Sequence, residues 1–155
     1  NLDNRSVLDV GCGYATFCSY LNERYSNVNY TGVDLATACI KDVKSSNNLI
    51  NVRVDDILDQ NFTHKYDYVF ANGIFYLLDA DAEILMKKLI KKMFQISKIG
   101  VAFNSLSAWC TDKEYGEFYA DPLWVIEYCR KLTPWVVLRN DYHSRDFTVY
   151  MYREQ

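Results

Sequence analysis

Val7-Leu8-Asp9-Val10-Gly11-Cys12-Gly13-Tyr14-Ala15 decides how the rest of the chain is read. Ser6 to Val10 is a short apolar run of the kind a buried strand requires. Glycines end it. With no Cβ at Gly11 or Gly13, backbone there can take positive φ and come close to a ligand. Helical spacing follows at once, with Tyr14, Phe17, Cys18, Leu21 and Tyr25 recurring on one face. A strand, a glycine turn and a helix start with free N–H groups form a corner where backbone can meet a bound group. A plain tight turn would use the same two glycines, so the loop alone does not separate the two readings.

Outward from this corner the elements alternate. Asn29 to Val33 reads as a second strand. Ala36 to Lys44 reads as a helix, with Leu35, Ala38, Cys39 and Val43 at its apolar positions. Asn51 to Val54 and Tyr66 to Ala71 are the third and fourth strands, with no full helix between them. A long amphipathic helix spans about Ala80 to Ser97, with Asp79, Asp81 and Glu83 crowding its start. Its Lys87, Lys88, Lys91 and Lys92 lie opposite the apolar residues, as amphipathicity alone requires, and read as a solvated face. Ile99 to Asn104 is a fifth strand. Asp121-Pro122 caps and opens another helix, which Thr133-Pro134 ends. Trp135 to Arg139 and Phe147 to Tyr152 are separated by a short link without a helix, so they pair antiparallel. This alternation predicts a mostly parallel sheet covered by helices on both faces. Such sheets bind ligands beyond the carboxyl ends of their strands.

The 155 residues carry 17 Lys+Arg against 20 Asp+Glu, a net charge of −3, and half are apolar. That suits one domain with a real core. No apolar run approaches 18 residues, so no membrane span or signal peptide is expected. The slight acidity does not suit nucleic acid; a small or neutral partner is expected. Cysteines at 12, 18, 39, 110 and 129 form no C-x-x-C pair, and two histidines do not suggest zinc. They read as reduced thiols of a cytoplasmic protein.

The loop departs from the dinucleotide pattern G-x-G-x-x-G/A, since Thr16 stands at the third small position. It runs D-x-G-x-G-x-A instead. In this it resembles the first motif of the class I S-adenosylmethionine-dependent methyltransferases, and the resemblance covers nearly the whole chain. It implies a Rossmann-like three-layer sandwich, α/β, with seven strands of which the last is antiparallel. It implies that Asp9, Gly11, Cys12 and Gly13 bind S-adenosylmethionine, Cys12 through its backbone. In Val33-Asp34-Leu35 it implies that Asp34 holds the ribose hydroxyls, with Leu35 beside it; a helix N-cap role for Asp34 is compatible. In Val54-Asp55-Asp56-Ile57 it implies an acid on the adenine amino group, Asp56 before Asp55, with Ile57 against the ring. Asn72, after strand four, falls where the family contacts the methionine part of the cofactor. The N/D-P-P-Y motif of DNA-methylating relatives is missing there, which points to a small-molecule methyl acceptor. Another nucleotide-binding or non-catalytic domain of similar fold is the alternative.

Methyl transfer from a sulfonium needs alignment and water exclusion more than a nucleophile or metal. Acceptor-side residues are accordingly few. Ser105, Ser107 and Trp109 follow strand five, and Trp109, Tyr115, Phe118 and Tyr119 either wall a pocket or pack on one another. Tyr76 is comparable. His143 is either a base or, as favoured here, a hairpin-loop residue remote from the chemistry; His64 is a surface residue on the opposite side. The first strand begins near residue 6 and the chain starts at Asn1, not Met. Residues 1–155 are therefore expected to be one methyltransferase domain, trimmed of the N-terminal cap helices usual in the family.

Overall fold

The computed structural model describes residues 1–154. Its strands are β1 (Ser6–Val10), β2 (Asn29–Asp34), β3 (Val52–Val54), β4 (Tyr66–Ala71), β5 (Ser97–Leu106), β6 (Val136–Arg139) and β7 (Asp146–Tyr152). Its helices are α1 (Thr16–Arg24), α2 (Thr37–Ser46), α3 (Ala82–Ile96) and α4 (Pro122–Arg130). One sheet of order β3-β2-β1-β4-β5-β7-β6 contains every strand. The β1, β2, β3, β4 and β5 pairings are parallel, and β7 runs antiparallel between β5 and β6.

Alternation along β1 splits the core in two. Leu8 and Val10 join Met86 and Ile90 of α3 and Val125 and Cys129 of α4. Val7 faces the other way, with Leu21 of α1 and Ile40 and Val43 of α2. The sheet is thus the middle of three layers, as the alternating sequence requires. Among the described residues no helix is long and apolar enough to cross a membrane.

Several boundaries differ from the sequence reading by a residue or two, and those of β5 and α3 have a visible cause. β5 is longer than Ile99–Asn104, because its partner β7 carries pairing on to Leu106 opposite Asp146. α3 begins only at Ala82. Asp81 before it takes left-handed φ 63 and makes no side-chain cap, so the acids at 79 and 81 do not sit in its first turn. The α4 start behaves as read, with Asp121 accepting from the Leu123 N–H and Pro122 at the first helical position. On α3, Lys87 pairs with Glu83 and lies over the Trp124 ring, which is ordinary helix-surface behaviour.

β6 runs parallel to β5, so it ends at the carboxyl edge of the sheet and β7 starts there. The link through His143 therefore lies beside the ends of β4 and β5.

Candidate functional site

Gly11 and Gly13 take φ 70 and 50, and Ala15 follows at φ 57. The loop closes over the end of β2, with the Gly11 and Cys12 N–H groups both donating to the Val33 carbonyl at 2.8 and 3.1 Å. The two glycines serve different ends. A Cβ on Gly11 would collide with Ile74 Cγ2, so closeness to the loop after β4 demands glycine there. A Cβ on Gly13 would meet nothing within 4 Å. Gly13 is bare backbone facing open space, as a ligand-binding turn requires.

Asp34 ties this loop to the next. Its Oδ2 accepts from the Gly13 N–H at 2.7 Å and its Oδ1 from the Ala36 N–H at 2.8 Å. The carboxylate is both loop clamp and turn residue ahead of α2. Each oxygen has a second lone pair, enough for a pair of hydroxyls. Leu35 beside it is 70% exposed and Tyr14 is 63% exposed, giving apolar surface on either side of the clamp.

Asp9 lies beneath the loop, not on its surface. It is 4% exposed, and its Oδ2 accepts from the Tyr30 hydroxyl at 2.8 Å. Burial pushes its carboxyl up to about 6, the Tyr30 hydrogen bond opposes this, and the Asp34 charge adds to it. Burial, followed by the charges of Asp9 and Asp34, pushes the Cys12 thiol up to about 12. It is a neutral thiol at physiological pH and no nucleophile. What Cys12 brings is backbone.

After β3 the residues diverge. Asp55 pairs with Arg53 at 2.9 Å. Asp56 is exposed and closes a turn by accepting from the Leu58 N–H at 2.8 Å. Ile57 is 2% exposed within the core. Its side chain therefore shows almost no surface to a ring, which corrects the expectation of a side-chain contact. Among the described residues no hydrogen bond uses the Asp56 or Ile57 N–H. Asn72 is exposed, and the next N–H, of Gly73, donates to Asn104 Oδ1 at 2.7 Å. Gly11, Gly13, Asp34, Leu35, Asp56 and Asn72 all sit on turns at the carboxyl ends of β1 to β4. One edge of the sheet thus gathers the residues the loop motif pointed to.

A cleft of about 280 Å³ adjoins it at the ends of β4, β5 and β7. Gly73, Tyr76, Asn104 and Ser105 line it, as do Glu117, His143, Arg145 and Asp146. Tyr76, Ser105 and His143 were candidates, and His143 is the one the sequence reading placed wrongly. It is on the cleft because β6 and β7 turn at the carboxyl edge. Its Nδ1 accepts from the Arg145 N–H at 3.2 Å, which leaves Nε2 as the nitrogen that carries hydrogen. Arg145, Glu117 and Asp146 were missed, although antiparallel pairing of the last two strands was the signal that would have found Arg145 and Asp146. Of the aromatics that could either wall a pocket or pack on one another, Trp109 and Tyr115 are solvent-facing, and Phe118 packs on the core. Tyr119 accepts from Arg145 and donates to Glu117 instead of facing a ligand. His64 is exposed, edge-on to Tyr66, as expected.

Among the described residues no cluster of His, Cys, Asp or Glu could hold a metal ion.

Comparison with known proteins agrees with this geometry. A sequence model of the family described as "Methyltransferase domain" matches residues 7–98, more than half of the chain. A Mycobacterium tuberculosis protein, described provisionally as a methyltransferase, is 27% identical over 154 residues, covering 95% of this chain and 92% of that one. A malonyl-[acyl-carrier protein] O-methyltransferase of Ilyobacter polytropus is 32% identical over 78 residues, 48% of this chain and 29% of that protein. Among solved structures, magnesium protoporphyrin IX methyltransferase from Synechocystis PCC 6803 with bound SAH superposes with TM-score 0.78 at 10% identity. It covers 99% of this chain and 76% of that one. A SAM-dependent methyltransferase from Archaeoglobus fulgidus gives TM-score 0.73 at 15% identity, covering 96% and 86%. At such identities the likeness is one of fold.

Proposed function

The chain belongs to the methyltransferase-domain family, and from that premise we propose that it is an S-adenosylmethionine-dependent methyltransferase acting on a small-molecule acceptor. The observation that carries the reading is the Gly13–Asp34 clamp beside open space. It offers bare backbone, a carboxylate with lone pairs to spare for a ribose diol, and exposed Leu35 for an apolar ring face. The free N–H groups at Asp56 and Ile57 suit the acceptor nitrogens of a purine. Asp9 and Asp34 give the site negative charge, which favours a ligand bearing a sulfonium and an ammonium. The structural neighbour from Synechocystis, solved with SAH and with SAM bound, supports the same ligand.

S-adenosylmethionine supplies an activated methyl group on sulfur. What remains for this chain is to hold the acceptor in line with that methyl and to keep water out. The cleft at the ends of β4, β5 and β7 adjoins the clamp through Asn72 and Gly73, and we assign the acceptor to it.

Calorimetric titration with S-adenosylmethionine and with NAD tests the reading. Saturable S-adenosylmethionine binding without NAD binding supports it. NAD binding alone overturns it in favour of a dinucleotide-binding domain.

A further inference from the structure

We propose that the cleft selects an acceptor with an apolar body and an amine or hydroxyl head held by Asp146, and that it rejects carboxylates. That this molecule is a methyl acceptor rests on the function proposed above; the cleft's selectivity does not. The volume, about 280 Å³, suits a compact molecule, and Tyr76 and Leu106 supply apolar lining. The polar residues set the charge. Arg145 is the one arginine on the cleft; its two Nη groups are already engaged, and its Nε, without a partner among the described residues, is buried away from a ligand. The Nη groups donate to Glu114 at 2.7 Å, to Glu117 at 2.8 Å and to the Tyr119 hydroxyl at 2.7 Å. Two carboxylates outweigh one guanidinium, so no bidentate clamp is left for an anion.

Asp146 is differently placed. Among the described residues its carboxylate makes no ion pair. Its side-chain partner is the Asn104 Nδ2, at a long 3.4 Å, and Asn104 is itself held by the Gly73 N–H. Asp146 stands opposite Leu106, the last residue of β5, on the cleft wall. It is therefore a strong acceptor with capacity to spare. His143, presenting Nε2–H, can donate to a hydroxyl oxygen nearby. An incoming carboxylate would meet Glu117 and Asp146 across a narrow cleft, and like charges at close range repel.

The test is a matched series with one apolar body: phenethylamine, 2-phenylethanol and phenylacetate. Each is titrated into ¹⁵N-labelled protein near neutral pH, following the Asn104, Ser105, His143 and Asp146 amides. The expected order is amine first, then alcohol, with phenylacetate about tenfold weaker or more than the amine. Asp146→Asn should cost the amine about tenfold and the alcohol far less. Phenylacetate binding as tightly as phenethylamine, no binding by any of the three, or an unchanged amine-to-alcohol ratio in a folded Asp146→Asn protein overturns the proposal. The unmutated series decides even where the variant does not fold. S-adenosylmethionine titrated in parallel separates the two claims. Cofactor binding without charge preference sinks this inference alone; charge preference without cofactor binding sinks the methyltransferase reading alone.

Discussion

Asp9→Asn should stabilise the protein at neutral pH while damaging its function. Asp9 is buried beneath the glycine loop, with the Tyr30 hydroxyl as its hydrogen-bond donor. Its carboxyl is pushed from 3.8 to about 6 in the folded protein, chiefly by burial. Between those values the folded state keeps a proton that the unfolded state has lost. Stability therefore falls as pH rises from about 4 to about 6, and the penalty is fully present above 6. Two units correspond to about 3 kcal/mol at most. Asparagine keeps the shape and an acceptor for Tyr30 but weakens that hydrogen bond, leaving a net gain of about 1–2 kcal/mol. For a domain of this size that raises Tm by about 2–8 °C. Scanning calorimetry of the ligand-free protein near pH 7.5 and near pH 4 reads it directly. The gain should appear at the higher pH and vanish or reverse at the lower. The same variant should bind S-adenosylmethionine more weakly, with S-adenosylhomocysteine, which lacks the sulfonium charge, less affected. Equal destabilisation at both pH values would refute the reasoning, since the charge of Asp9 would then cost nothing.

Other changes probe the same framework. Tyr30→Phe removes the donor to a buried carboxylate and should cost about 1–3 kcal/mol in urea unfolding at neutral pH, less in acid. Asp34→Ala strands the Gly13 and Ala36 N–H groups and should weaken S-adenosylmethionine binding by about 1–3 kcal/mol in calorimetry. Unchanged affinity in a folded variant would remove Asp34 from the site. Gly11→Ala meets Ile74 at positive φ and should lower stability by about 1–3 kcal/mol by thermal melt. Gly13→Ala, also at positive φ but facing open space, lacks that clash and should destabilise less, while still weakening cofactor binding.

Most of the fold was legible because hydrophobic periodicity and punctuation agree. Ser6–Val10 followed by Gly11 and Gly13, and Asp121-Pro122 before α4, are local signals that tertiary packing does not override. The longer β5 was hidden because its last residues are specified by β7, more than forty positions away. The turns carrying Gly11, Gly13, Asp34 and Asp56 were legible because a short motif ties them to the ends of strands. Ile57 shows the limit of that approach: its place on the turn after β3 was legible, but burial decides what a side chain can touch, and burial belongs to the whole core. The cleft was the least legible part. His143, Arg145 and Asp146 lie far in sequence from Gly73 and Asn104. They meet only because β7 reverses direction and starts where β5 ends. Arg145 carries no signal of its role in sequence, and only its contacts with Glu114 and Glu117 show that it is already neutralised.

The most direct test of the central claim is a crystal structure of the protein grown with S-adenosylhomocysteine. The account expects the ribose hydroxyls on Asp34, the purine edge at the Asp56 and Ile57 N–H groups, and the sulfur facing the cleft of Tyr76 and Asp146. Ligand bound elsewhere, or a glycine loop left empty at saturating ligand, would contradict it.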